Sequence, residues 1–490
     1  MKYKILGLVA CVVLLVVCAI NYPLLLTQDT GRYHQHREAA EKPACTHTDG
    51  TLCSHLPLIS IDTGGVEIPG RQYREDGVAK LTTAADGSDR ISGTITTFDN
   101  PEANNHLTDP PTTTSAMTIH VRGNTSRTFD KLGYRVNLVD QNGQNNRQPL
   151  LGMDAHHEWA LHGPILDKTL MRNYMWYNIA GEIMEYAPNV RFCELVLNGE
   201  YMGVYVLTEI ITAGKDGSRL NLTVDAKDNT FSGYCLLLDR LDGEEHNHLK
   251  SLSTYTLRTK MKLEIVYPGF SNLTDELYEG IKQDFSAFEK ALYSYDYDNN
   301  KYGYETLIDV DSFVDYFLIN EFTCNYDAGW LSTFIYKDID GKYKMCIWDF
   351  NSSCDNYQQA VMPNNRYEMQ NCLWFVMLCR DEAFIERCID RYRELRQTYF
   401  SEEYLYHYID EVVDYLGAAV ERNYEVWGYE FSEENDMLVP TERNPRTYEE
   451  SIDNMKQFIH VRGTWLDENI ESLRQYSAES KVKKFNENAD

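Results

Sequence analysis

Two aspartates carry the chemistry this sequence offers. Asp327 ends a polar loop, Thr323-Cys324-Asn325-Tyr326-Asp327, after a helical stretch from Asp309 to Phe322. Asp349 follows a β-hairpin, Ser332 to Lys337 and Lys342 to Trp348, within Trp348-Asp349-Phe350-Asn351. The connecting Asp338-Ile339-Asp340-Gly341 is a turn signal, because Asp and Gly tolerate positive φ. A carboxylate in such a loop can accept a proton from a hydroxyl. One at a strand exit can hold a divalent cation against phosphates, with Asn351 beside it as a second oxygen ligand. Phosphoryl-transfer sites use acids in this order. Either Asp alone is ordinary turn chemistry, so the weight falls on the elements that position them.

Those elements begin with alternating strands at Leu56 to Asp62, Val78 to Thr83, Arg90 to Phe98 and Ala116 to Val121, with a loop from Asn100 to Thr114. The N-terminal third therefore reads as antiparallel β. The last strand runs into Arg122-Gly123-Asn124-Thr125-Ser126-Arg127, whose Gly and hydroxyls can wrap N–H groups around a phosphate while Arg adds charge. Lys131 follows, beside the strand Tyr134 to Leu138, as a candidate phosphate lysine. Asp167 precedes a helical run, Thr169 to Tyr186, stopped by Pro188, and is placed to cap it. Glu182 or Glu185 on that helix can pair with Lys131. The hairpin Arg191 to Leu197 and Tyr201 to Leu207, joined by Asn198-Gly199, ends close to Glu209. Strand, phosphate-type loop, strand with Lys, helix with Glu, hairpin: that is the element order of a protein-kinase small lobe.

Charge and compartment narrow the partners. The formal net charge of −29 over 490 residues argues against nucleic acid and favours basic segments or divalent cations. Ile5 to Ile20 is unbroken apolar chain, extended through Leu26, and Lys2 and Lys4 precede it. Residues 1–27 are thus expected to be a membrane helix, or a signal segment, with everything after it outside. Residues 28–54 read as a polar tether. Of the 12 Cys, Cys45 and Cys53 lie in loop-rich chain and can pair. Cys193, Cys235, Cys324 and Cys346 sit in apolar patterns as buried thiols. No CxxC or Cys/His spacing points to zinc. Helical periodicity covers Asp275 to Tyr295, Asp381 to Phe400, Glu402 to Tyr424 and Ser451 to Tyr476, and 477–490 is a charged tail.

With these parts on the page the chain resembles the CotH kinases, atypical protein kinases named for a spore-coat protein. The likeness rests on Arg122-Gly123-Asn124-Thr125-Ser126, on Trp159-Ala160-Leu161 through Asp167 to Arg172-Asn173, and on Asn198-Gly199-Glu200-Tyr201-Met202-Gly203. It continues through Asn320-Glu321 to Asp327 and through Trp348-Asp349-Phe350. The resemblance implies an α+β, two-lobe kinase-like domain over 55–476, β-rich to about 212 and helical from about 213. It implies ATP and Mg²⁺ (or Mn²⁺) as cofactors and Ser/Thr of a basic or Ser/Thr-rich protein as acceptor. By motif, Asp327 is the catalytic Asp and Asp349 and Asn351 hold the metal. Arg122, Gly123, Asn124, Ser126, Lys131, Glu182 and Glu209 form the nucleotide side. Two departures stand out: Ser332 where the family usually has Asn, and Asn351 where it commonly has a second Asp. A neutral oxygen holds Mg²⁺ more weakly than a carboxylate, so the alternative is a catalytically silent surface module that binds proteins or wall components.

Overall fold

The computed structural model describes residues 31–40, 42, 43, 45, 51–214, 219–240, 247–256 and 261–478. The expected membrane segment and most of the charged tail lie outside these residues. Among the described residues, no helix is long and apolar enough to cross a membrane. The described residues from Gln35 onward make up one compact unit, mixed α+β, with a β-rich N-terminal part and a helical C-terminal part.

Seven strands close into a barrel. In order around the ring they are Leu58–Asp62, Val190–Leu197, Glu200–Glu209, Glu158–His162, Tyr134–Val139, Thr113–Val121 and Ile91–Phe98. Leu58–Asp62 closes the ring, running parallel to Val190–Leu197 and antiparallel to Ile91–Phe98. Alternate residues fill the interior: Ile59 and Ile61, Met117 and Ile119, Val136 and Leu138, Trp159 and Leu161, Cys193 and Leu195, Tyr205 and Leu207. That is the period of a strand with one face turned inward. Two strands are buried on both faces. Val190, Phe192, Val204 and Val206 point out of the barrel into the larger core built around helix Arg172–Ile183. Asn198 and Gly199, both at positive φ, make the turn between them. The expected strand from Val78 pairs with Gln72–Glu75 in a separate hairpin, with every residue of Val78–Leu81 exposed.

The boundary of the helical part needs correction. The chain after 213 does not turn helical at once. Tyr234–Asp239, His248–Leu249 and Lys262–Tyr267 join Thr333–Lys337 and Tyr343–Cys346 in a five-stranded antiparallel sheet. Helices follow at Asp275–Leu292, Val310–Thr323, Glu382–Arg396, Glu402–Leu416, Ala418–Trp427 and Tyr448–Asn469. The expected run from Glu402 to Tyr424 breaks at Gly417, whose φ of +43° only glycine adopts cheaply.

Candidate active site

Helix Val310–Thr323 starts on an Asp309 side chain that accepts from the Ser312 N–H, and it ends on Cys324 in the left-handed conformation. That stop throws the chain sharply outward, so Asp327 reaches a cleft of about 510 Å³ rather than the core. Asp349 arrives from the other side, at the exit of strand Tyr343–Cys346, and also lines the cleft. Its φ is +58°, an uncommon conformation for a residue with a side chain, though Asp adopts it more readily than most.

Neighbours hold Asp349 there. Its N–H donates to the Tyr177 hydroxyl (3.0 Å) and its carbonyl accepts from Asn325 Nδ2 (3.2 Å). The Phe350 N–H donates to Asn173 Oδ1 (2.7 Å). Asn325 thus ties the Asp327 loop directly to the Asp349 loop. Arg172, paired with Asp167, donates through Nε to the Ser353 carbonyl (3.0 Å). Asn356 Nδ2 bridges the carbonyls of Asn351 (2.7 Å) and Leu166 (3.2 Å). The stretch from Asp167 to Asn173 is therefore the brace of this site. Asp167 is not the N-cap, which is Met171 at the start of helix Arg172–Ile183; it accepts from the Arg172 N–H (2.8 Å) from five residues upstream.

A third acid, which the sequence reading missed, lines the same cleft: Asp239, at the exit of strand Tyr234–Asp239, followed by Arg240. The available signal was an apolar run ending in an acid, as Met345 to Trp348 precede Asp349. Ser332 lies beside Asp239 and, with Arg240, works against the burial that raises its pKa. Burial, then the charge of Asp349, and to a lesser degree Asp239, push Asp327 up to about 7, with Arg240 opposing. Burial also raises Asp349, with Arg122 opposing and Asp239 reinforcing. Asp349 and Asp239 raise Asp327, and Asp239 raises Asp349, so the cleft gathers acids in want of a counter-ion. Asn351 Oδ1 is buried with no hydrogen-bond partner, which such an ion would satisfy. Carboxylate and amide oxygens are the donors that Mg²⁺ or Mn²⁺ takes. As they stand, the three carboxylates are not all within 4.8 Å of one another.

The loop Arg122 to Arg127 forms the opposite wall. Gly123 has a φ of +101°, and a methyl group on it would lie 2.0 Å from Ser126 Oγ. The Arg122 guanidinium lies over the Trp348 ring, 5.2 Å from its centroid. Burial lowers its pKa and Asp349 opposes that. Arg122, Gly123, Asn124, Ser126, Asp327, Asp349 and Asn351 therefore meet in one cleft.

Three expected residues do not join them. Lys131 is 1 % exposed, and its ammonium donates to Asn423 Oδ1 (2.7 Å) and lies over the Tyr205 and Trp427 rings. Its side chain turns toward helix Ala418–Trp427, away from the phosphate-type loop. Glu182 accepts from the Tyr399 hydroxyl (3.2 Å). Its neighbour Glu185 pairs with Lys344 at 2.7 Å. Glu209 is fully buried and accepts from the Asn189 N–H (2.9 Å) and side-chain amide (3.1 Å), fixing the start of the barrel hairpin. The expected Lys–Glu pair does not form, and Arg122 is the cation beside Asp349.

A family model described as CotH kinase protein matches residues 119–466. The chain belongs to the CotH kinase family. No curated protein matches the chain. The CotH match begins inside strand Thr113–Val121, just before Arg122, and takes in every residue of the cleft discussed above. Two barrel strands, Leu58–Asp62 and Ile91–Phe98, precede it. In this CotH protein the barrel is thus completed by chain outside the matched region.

Proposed function

We propose that this CotH protein transfers the γ-phosphoryl group of ATP to a Ser or Thr hydroxyl of a protein. The observation that carries the reading is the meeting of Asp327 and Asp349, from separate loops tied by Asn325, opposite a glycine loop that bears Arg122. Asp327 orients the acceptor hydroxyl and takes its proton. Its pKa near 7 suits a base that must hold and release a proton at neutral pH. Asp349 and Asn351 hold a divalent cation, with Asp239 in reach of the same space. When bound, that ion supplies charge neutralisation for the phosphates. Arg122 and the N–H groups of Gly123 to Ser126 cradle the phosphates, and Arg240 adds positive charge beside Asp327. Positioning and charge neutralisation are most of what phosphoryl transfer needs. On this reading the barrel with helix Arg172–Ile183 serves as the small lobe, and the sheet and helices after it as the large lobe. The net charge of −29 supports a basic acceptor segment, and on this reading the N-terminal apolar run would anchor the chain with the domain outside a membrane.

The test is transfer of label from γ-labelled ATP by the full-length chain with Mg²⁺ or Mn²⁺. Asp349→Ala is expected to abolish it; equal labelling by that variant removes the metal assignment. Ser332 where the family usually has Asn, and Asn351 in place of an acid, favour a second reading, a nucleotide-binding module without transfer. Thermal stabilisation by ATP and metal with no labelled product would select it.

A further inference from the structure

A second cluster of chemically active side chains lies away from the cleft and wholly outside the family match. Cys45, Cys53 and His106 bring one ligand atom each to within 4.8 Å of the others. Local structure builds this meeting. Ser54, next to Cys53, exchanges both backbone hydrogen bonds with Asn105, next to His106 (3.1 and 2.7 Å). Asn104 Nδ2 donates to the Pro43 carbonyl (3.1 Å) and so draws the Cys45 segment onto the same loop. Cys45 Sγ lies 3.1 Å from His106 Nε2.

The other ring nitrogen is also committed. His106 Nδ1 lies 3.2 Å from Asp109 Oδ2, and the same carboxylate accepts the His106 N–H at 2.8 Å. The Asp109 N–H returns to the His106 carbonyl (3.2 Å). His106 is 3 % exposed. A carboxylate that holds Nδ1–H fixes the tautomer in which Nε2 carries the lone pair, the arrangement behind most imidazole–metal bonds. Beside the cluster is a cavity of about 610 Å³ lined by Cys45, His106 and Asp109 among others.

We propose that Cys45, Cys53 and His106 bind one divalent transition-metal ion of the zinc class, with Asp109 orienting the histidine. Two thiolates and an imidazole suit Zn²⁺ and reject Mg²⁺ and Ca²⁺, which take oxygen. Two thiolates also cancel the charge of the ion, so a neutral group is left against the barrel. Three protein donors leave one tetrahedral position for water or another ligand. The ion would staple the end of the tether to the loop between strands Ile91–Phe98 and Thr113–Val121. The absence of any short Cys/His spacing therefore misled: the ligands are separated in sequence by barrel strands and joined only by the fold.

The test is metal uptake by the full-length chain, reduced and freed of metal, then titrated with Zn²⁺ and with Co²⁺ as a spectroscopic probe. One equivalent bound, with thiolate-to-cobalt charge-transfer absorption and a raised melting temperature, supports the site. Cys45→Ser with Cys53→Ser should abolish the absorption. Asp109→Asn should keep it while weakening affinity about 10- to 100-fold. Cys193→Ser, a buried thiol elsewhere, should change nothing. No uptake by the reduced wild-type chain overturns the proposal, a result that needs no variant to fold. So does equal uptake by the double Cys variant, or recovery of native protein without metal and with Cys45 disulfide-bonded to Cys53. Labelling from ATP reads the other site and is independent of each result.

Discussion

Glu321 and Asp327 belong to one helix and the turn that ends it, yet they meet opposite fates. Glu321 is 1 % exposed and fully engaged. The Arg462 guanidinium pairs with it, and the N–H groups of Glu368 and Met369 donate to it. Burial raises its pKa, and the largest opposing influence is a cation. Burial raises Asp327 too, but the next influence is another carboxylate, which raises it further. The first acid is neutralised by its own protein. The second has no such partner, and its carboxyl holds its proton to about pH 7 unless a cation arrives from solution. In this chain, compensation separates an architectural carboxylate from a chemical one better than burial does.

The comparison breaks most visibly in rate. Asp327→Asn keeps size and fold but removes the base, and transfer should fall by about 10²- to 10⁴-fold, with the melting temperature unchanged or raised. The measurement is kcat with γ-labelled ATP beside thermal unfolding. A variant that transfers normally would make Asp327 another turn residue.

The matching change on the paired side acts on stability. Glu321→Ala strands the Arg462 guanidinium, which is fully buried, and breaking such a pair costs about 3–5 kcal/mol. The unfolding midpoint in denaturant should drop accordingly. Replacing Glu321 and Arg462 together with apolar residues of like volume should recover most of the loss, because it is the orphaned charge that is expensive.

Much of this division was legible in sequence, and the failures have physical causes. Helix Val310–Thr323 and the hairpin after it announce themselves by a capping Asp309 and by Asp338 to Gly341, where Gly341 takes a φ of +83°. Asp239 stayed hidden because Tyr234 to Leu238 is continuously apolar, without alternation. The strands beside it, Lys262–Tyr267 and Thr333–Lys337, are remote in sequence. Lys131 misled because a lysine following a loop says nothing of the direction its stem takes. That direction is set by Asn423, Tyr205 and Trp427, which no local pattern contains.

The two cations sharpen the contrast at smaller cost. Arg122→Met removes the guanidinium beside Asp349 and should raise KM for ATP about 10-fold or more, the usual scale for a lost charge-assisted hydrogen bond of about 1.5–3 kcal/mol. Lys131→Met should leave KM for ATP within about 2-fold. The neutral, similar-sized side chain relieves a buried ammonium whose pKa is already driven well down by burial, so stability should not fall steeply. If Lys131→Met raises KM as Arg122→Met does, Lys131 reaches the nucleotide and the division between the two cations fails.

The gentlest test is pH. An ordinary Asp releases its proton near 3.8, whereas folded Asp327 holds it to about 7. Between those values the folded chain carries a proton that the unfolded chain has shed, so raising the pH through this window costs stability. The contribution is fully present below about pH 4 and gone above about pH 7. In the absence of divalent metal, wild type should therefore lose more stability between pH 5 and 7.5 than Asp327→Asn, whose amide does not titrate; other groups cancel in the difference. Saturating Mg²⁺ should shrink that difference, because a cation beside Asp349 replaces the like-charge repulsion that lifts Asp327 with attraction. Activity should run the other way, kcat/KM rising with pH toward a plateau as the base ionises. Equal slopes in the two chains would mean that Asp327 is as compensated as Glu321, and the distinction between the two acids would fail at its source.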